Sequence, residues 1–190
     1  LAEWPGASDF RGRLLHSHDY ANGYMAAGQR ALVIGIGNSG AEIAADLVES
    51  GAAQVSIAVR TPPPITSREI AGIPVQLLGL LFAPFPAVFV DRLGLALRRM
   101  GTGDLRSYGL GREAWGPFTA RRPPVIDVGF LGHLKHGRIA VRPDVSRFTR
   151  GGVMFADGSE AHGDVVVAAT GYTTGLAGIL EVAGVLGAGG

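Results

Sequence analysis

Cysteine is absent from the chain, which excludes disulfides, thiolate metal sites, thiol nucleophiles and any C-x-x-C redox pair. Charge is scarce too: Asp, Glu, Lys and Arg make up 17% of the 190 residues, against about 25% in a typical soluble domain. The formal net charge is +1 and no run of like charges occurs. The chain therefore lacks the basic stripe of a nucleic-acid binder, and no nucleic-acid partner is expected. Its five histidines show no metal-ligand spacing, and no Ser/His/Asp set or carboxylate pair marks a hydrolytic centre. The lack of cysteine fits a cytoplasmic setting. The chain begins with Leu1-Ala2-Glu3 and ends in "GVLGAGG", so a fragment of a longer protein is expected.

Glycine, by contrast, is abundant, with 30 residues, and its placement is informative. "RALVIGIG" is an apolar, β-branched run ending at glycines, the signature of a buried parallel strand. "SGAEIAADLVESGA" follows with Ile43, Ala44, Leu47 and Val48 on one helical face and Gly51 as a stop. "QVSIAVR" supplies a second strand over Val55 to Val59. Strand, turn, helix and strand in so short a span make a βαβ unit. The opening "LAEWPGASDFRGRLLHSHDYANGY" has no helical period and reads as loop with a short strand. "TPPPITSRE" reads as a proline-stiffened loop.

Ile70 to Val90 carries Gln76 as its only strongly polar side chain and is long enough to be a transmembrane candidate. Pro74, Pro84, Pro86, Gly72 and Gly79 interrupt it, so a buried or interfacial helical segment is expected instead, forming core and shielding a cofactor; peripheral membrane contact is the lesser alternative. "VDRLGLALRRMG" continues as an amphipathic helix with Arg92, Arg98 and Arg99 on its polar side. From "RRPPVIDVGFLGHLKHGRIAV" onward the pattern reads as β-rich. Turns at Arg150-Gly151-Gly152 and Asp157-Gly158 predict a β-meander, and Val165 to Ala169 predict another buried strand. Tyr108 and Trp115 are candidates to line a substrate pocket.

Within Gly35-Ile36-Gly37-Asn38-Ser39-Gly40, three glycines have separate tasks. Gly35 permits the tight turn, Gly37 admits a pyrophosphate, and Gly40 lets helix and strand pack closely. Free amides from Asn38 to Ala41 offer donors and the positive end of the helix dipole to phosphate. An NAD site presents Asp or Glu about twenty residues on, to the ribose 2′-OH. Here that position is Arg60, and no acid lies between Gln54 and Ser67. A guanidinium pairs with a 2′-phosphate that a carboxylate would repel, so NADP(H) is favoured; Arg68 is a secondary candidate.

With these motifs the sequence resembles the class B flavoprotein monooxygenases. Phe10-Arg11-Gly12-Arg13-Leu14-Leu15-His16-Ser17-His18-Asp19-Tyr20 is similar to the family's F-x-G-x-x-x-H-x-x-x-(Y/W) signature ahead of the NADPH turn. "GNSGAEIA" resembles the turn itself. Asp127-Val128-Gly129 and Ala169-Thr170-Gly171-Tyr172 resemble the plant YUCCA branch and its bacterial relatives. The resemblance implies an NADPH- and FAD-dependent monooxygenase using O₂ through a flavin C4a-hydroperoxide, with indole-3-pyruvate or another small organic molecule as substrate.

It further implies a Rossmann-like, doubly wound α/β fold with a β-meander, flanked by pieces of a second, FAD-binding domain. Residues 1–28 would be a linker from that domain, 29–160 the NADPH domain, and 161–190 a return segment. Cofactor contacts are implied at Gly35, Gly37, Asn38, Ser39, Gly40 and Arg60, at His16 and Ser17, and for FAD at Thr170 and Gly171. His16 and Ser17 have a local structural reading beside the cofactor one. No catalytic side chain is assigned, since the cofactor carries the chemistry. The family's first, FAD-binding glycine turn is missing from these residues, so FAD would be held mainly by a partner domain and the fragment alone is expected to be inactive. Two alternatives stay open: another NAD(P)H flavoprotein oxidoreductase, or a non-catalytic nucleotide-binding module.

Overall fold

The structure, a computed structural model, describes residues 4–70 and 72–171. Tyr172 and the remainder of the expected return segment therefore lie outside the described residues. In chain order the strands and helices begin with β1 (Arg13–His16), β2 (Arg30–Ile34), α1 (Asn38–Glu49) and β3 (Gln54–Ala58). Next come β4 (Ile65–Ser67), β5 (Glu69–Ile70), β6 (Ile73–Pro74), α2 (Val75–Phe82) and α3 (Ala87–Thr102). The last third holds β7 (Val125–Asp127), α4 (Phe130–Lys135), β8 (Ile139–Arg142), β9 (Val145–Thr149), β10 (Gly152–Phe155), β11 (Glu160–His162) and β12 (Val165–Ala168).

Five strands form one parallel sheet in the order β1-β12-β2-β3-β8. The apolar run that predicts β2 is buried on both faces, with Ala31 to Ile34 all nearly inaccessible. Because side chains alternate along a strand, Ala31, Val33, Val55, Ile57, Val165 and Val167 enter the core under α1 and α4. Leu32, Ile34, Ala58 and Val166 enter a second core under the meander β9–β10–β11, against Val145, Phe148, Val153 and Phe155. The result is the expected Rossmann-like parallel α/β fold, with the meander filling the layer that helices take in an ordinary doubly wound sheet.

The helical face predicted for α1 is the buried one: Ile43, Ala44 and Leu47 are in the core with Val48 packed beside them. Gly51 follows the helix at φ +84°, the left-handed geometry of a helix stop. Three expectations need correction. Phe130–Lys135 is a helix, not part of a continuous β-rich stretch; Phe130, Leu131 and Leu134 anchor it in the core. "TPPPITSRE" is not all loop, because β4 pairs in parallel with β7 through Ile65↔Val125 and Ser67↔Asp127. The Ile70–Val90 stretch opens in the β5–β6 pair and is helical only over α2 and the start of α3, and it is not core: α2 has no buried residue, and Val90 is the only one in α3. Pro74 and Pro86 are the N-caps of α2 and α3, where proline's missing N–H is no loss. Among the described residues no helix is long and apolar enough to cross a membrane.

Candidate functional site

Parallel strands present all their C-terminal ends at one edge, and ligands of open α/β sheets bind there. Along this edge the strand order β1, β12, β2, β3 sets the candidate residues side by side, although they are far apart in sequence. His16 ends β1 and Ser17 follows it; Thr170 and Gly171 follow β12; the Gly35–Gly40 turn follows β2; and Arg60 follows β3. Register fixes their neighbours: His16 is opposite Ala168, Ala168 opposite Ile34, and Ile34 opposite Ala58.

The three glycines of the turn separate by what a Cβ would meet. At Gly35, whose φ is +102°, a Cβ would lie 2.5 Å from the Ala169 carbonyl oxygen. At Gly40 it would run into the Gly35 carbonyl and press on the Ala169 side chain. Gly37 has nothing within 4 Å. Gly35 and Gly40 thus let β2, β12 and α1 approach each other, while Gly37 leaves open space over the turn. The Ala41 N–H donates to the Gly37 carbonyl at 3.0 Å, and α1 has no side-chain N-cap. The amides of Asn38, Ser39 and Gly40 are the orphan donors of the first helical turn, next to the open space over Gly37.

Arg60 is exposed two residues beyond β3 and forms no ion pair among the described residues. Its charge is available at the end of the strand next to the turn. Arg68 follows β4 in the separate two-stranded sheet and does not join this row. Sequence reasoning missed Arg142, which ends β8 beside Ala58 and whose Nε is buried with no hydrogen-bond partner; its arginine stands at the same edge, but nothing in its local pattern sets it apart from an ordinary strand end.

The segment before the turn is held from both sides of the sheet. Phe10 packs edge-on against Phe148 of the meander, with ring centroids 5.4 Å apart. A Cβ at Gly12 would lie 2.6 Å from the Asp164 carbonyl oxygen, so glycine permits the close start of β1. His16 Nδ1 accepts from the His18 N–H at 3.1 Å, and Ser17 is buried. Tyr20 donates its hydroxyl to Asp46 on α1 at 2.8 Å, and the same carboxylate accepts from the Gly23 N–H and the Ser50 hydroxyl. Burial, then the hydrogen bond to Asp46 and its negative charge, push the Tyr20 phenol well above its ordinary range.

Next to the turn lies a cavity of about 350 Å³ whose wall includes Asn38. The inner sides of α2 and α3 roof it, and Phe118, Pro123 and Ile126 complete it. Asn38 Oδ1 accepts from the Ile126 N–H at 2.8 Å; because that partner is a donor, the side-chain amide nitrogen must face the other way. Asp91 accepts from the Phe118 and Thr119 N–H groups and the Thr119 hydroxyl. Burial raises its carboxyl, but these bonds and nearby Arg98 outweigh it and hold it below its ordinary range. Arg98 is paired in a two-pronged contact with Glu113, at 3.1 and 2.7 Å. Neither Tyr108 nor Trp115 lines the cavity.

Comparison with known proteins agrees with this geometry. Residues 1–181 match the family model described as FMO-like, flavin-binding monooxygenase-like. "Indole-3-pyruvate monooxygenase YUCCA1" of Oryza sativa subsp. japonica is 36% identical over 97% of the chain, which spans 46% of that relative. "Probable indole-3-pyruvate monooxygenase YUCCA8" of Arabidopsis thaliana is 34% identical over 93% of the chain, which spans 42% of it. The chain thus covers less than half the length of these relatives. Among solved structures, a flavin-containing monooxygenase from Stenotrophomonas maltophilia superposes with a TM-score of 0.59 at 22% identity, over 93% of this chain and 39% of that one. Cyclohexanone monooxygenase from Rhodococcus sp. Phi1 bound to NADP+ gives 0.67 at 16% identity, over 90% and 44%; both likenesses speak to the fold. With a family model matching residues 1–181 and YUCCA relatives aligned over 93% and 97% of the chain, the chain belongs to the flavin-binding monooxygenase-like family.

Proposed function

We propose that this chain is the NADPH-binding portion of a flavin-dependent monooxygenase. The observation that carries the reading is the exposed, unpaired Arg60 at the end of β3, beside the open space over Gly37 and the uncapped start of α1. The amides of Asn38, Ser39 and Gly40 would hold the pyrophosphate, and the Arg60 guanidinium would hold the adenosine 2′-phosphate. Thr170 and Gly171 adjoin Gly35 on the other side, so FAD is approached from there, with His16 and Ser17 next in the row. When bound there, NADPH would supply reducing equivalents to the flavin for oxygenation of a small organic substrate with O₂. Most flavin contacts come from outside these 190 residues, in a domain packed against this one, with segments 1–28 and 161–190 leading to and from it. The names of the YUCCA relatives support indole-3-pyruvate as the substrate.

The test is a calorimetric titration of the chain with NADPH and NADH, alongside Arg60→Ala. A charge-assisted contact of about 1.5–3 kcal/mol predicts that NADPH binding weakens by roughly 10- to 100-fold, with NADH little changed. Equal loss for both dinucleotides would remove Arg60 from the 2′-phosphate site. Binding of neither by folded wild-type chain would sink the reading as a whole for the isolated portion.

A further inference from the structure

The edge of the main sheet opposite the cofactor residues carries a concentration of positive charge that the dinucleotide reading does not use. Arg13 opens β1, Arg30 opens β2, and Asp164 stands just before β12, the strand between them. Arg11 precedes β1, and Arg150 lies in the turn between β9 and β10, where its carbonyl accepts from the Arg11 N–H at 3.0 Å. With Gln29, His162 and three glycines they enclose a pocket of about 460 Å³. Four arginines share it with a single carboxylate, so three positive charges are left uncompensated, more than the net +1 of the whole chain. Asp164 is committed to Arg30 through side-chain bonds at 3.0 and 2.8 Å. The side chains of Arg11, Arg13 and Arg150 have no hydrogen bond or ion pair among the described residues.

Like charges gathered in one place repel each other, and here three stretches distant in sequence each contribute to the gathering. No hydrocarbon side chain lines the pocket, so an apolar body would find nothing to bury against. Its volume is that of a small-molecule site, roughly 300–1,000 Å³. Its donors are planar guanidinium forks, which match phosphate oxygens two at a time. We propose that this pocket binds a compact oligophosphate, a small anion with no hydrophobic part and enough charge to meet the three unpaired arginines. The site is separate from the dinucleotide turn. β2 runs from Arg30 to Ile34, which puts the two edges roughly 13 Å apart at about 3.3 Å per residue. The inference therefore holds whether or not NADPH binds over Gly37.

Calorimetry of the chain with tripolyphosphate tests the site, at low salt, where exposed charges are least screened. Arg11→Gln and Arg150→Gln each remove one charge from exposed positions and keep the backbone hydrogen bond between these two residues, so the fold should hold. Each is expected to weaken tripolyphosphate by about fivefold, with NADPH affinity and melting temperature little changed. Arg60→Ala should leave tripolyphosphate binding as it is, and inorganic phosphate, with fewer charges, should bind more weakly than tripolyphosphate. Wild-type chain that does not bind tripolyphosphate, or arginine variants that bind it like wild type, would overturn the proposal. So would loss of binding in Arg60→Ala, which would place the probe at the dinucleotide turn. Tighter binding of an oligo-aspartate peptide would overturn it too, by making the pocket a docking point for an acidic protein segment. Absence of NADPH binding with the tripolyphosphate pattern intact would sink the dinucleotide reading and leave this site standing.

Discussion

Two alanine substitutions, three residues apart, should fail in opposite ways. Gly40→Ala places a methyl group against the Gly35 carbonyl and the Ala169 side chain. The first of these is backbone, fixed by the β2–β12 pairing, and cannot swing aside. Forcing an extra methyl into such a contact costs typically 1–3 kcal/mol, and helix propensity returns at most about 1 kcal/mol. A net loss of about 1–2 kcal/mol corresponds to a melting temperature lower by roughly 2–8 °C for a chain of this size. Gly37→Ala meets nothing within 4 Å, and Gly37 has a φ of −77° that alanine adopts freely. Its stability should hold or rise by up to about 1 kcal/mol through the stiffer unfolded chain. Its methyl instead occupies the space where a pyrophosphate would approach, so NADPH affinity should fall by about tenfold or more. Thermal melts monitored by circular dichroism and NADPH titration of both proteins separate the two effects. A Gly37→Ala protein that binds NADPH like wild type, or a Gly40→Ala protein that melts like wild type, would refute the division of labour drawn from the geometry.

The Arg30–Asp164 pair supplies a pH test. Hydrogen bonds from the Arg30 side chain, then from its backbone N–H, hold the Asp164 carboxyl at about 2. A depressed carboxyl contributes stability that is present above its unfolded value, near 3.9, and is lost as pH falls toward 2. Asp164→Asn should therefore lower the urea midpoint slightly at pH 7, since both side chains are well exposed and screened, and the difference should vanish between about pH 4 and pH 2. A gap unchanged at low pH would contradict the pairing. For Tyr20, the raised phenol predicts that one tyrosine stays protonated through the range where a free phenol ionises, near pH 10, and its contribution is lost only as pH rises further. Absorbance titration should show that phenol missing in Tyr20→Phe, which should also cost about 1 kcal/mol for the lost bond to Asp46; a normal titration of every tyrosine would contradict the burial.

Much of the cofactor edge was legible because its signals are local. The Gly35–Gly40 turn, the buried face of α1 and the two flanking strands each follow from residues within one turn or one pleat. The meander turns at Gly151-Gly152 and Asp157-Gly158 were equally local. Other features depend on partners distant in sequence. Nothing in Val165–Ala168 announces that it inserts between β1 and β2, and β4 and β7 are three residues each, stabilised only by each other. The six residues of α4 include Gly132 and are too few for a clear helical period. The Ile70–Val90 stretch misled for another reason: composition reports how apolar a segment is, not which way it faces. Leu80 and Leu81 are 73% and 66% exposed, although nothing in their types distinguishes them from core residues.

The pairing of β4 with β7 has a consequence for how this scaffold can change. The segment that carries α2 and α3 begins and ends at one short ladder, and between them and β7 Leu110 returns to the main core with Leu105 beside it. None of the five strands of the main sheet lies in that excursion. Grafting a different segment onto the same ladder would remake the cavity under α2 and α3 and leave the main sheet standing only if the new segment still filled the core position that Leu110 holds now.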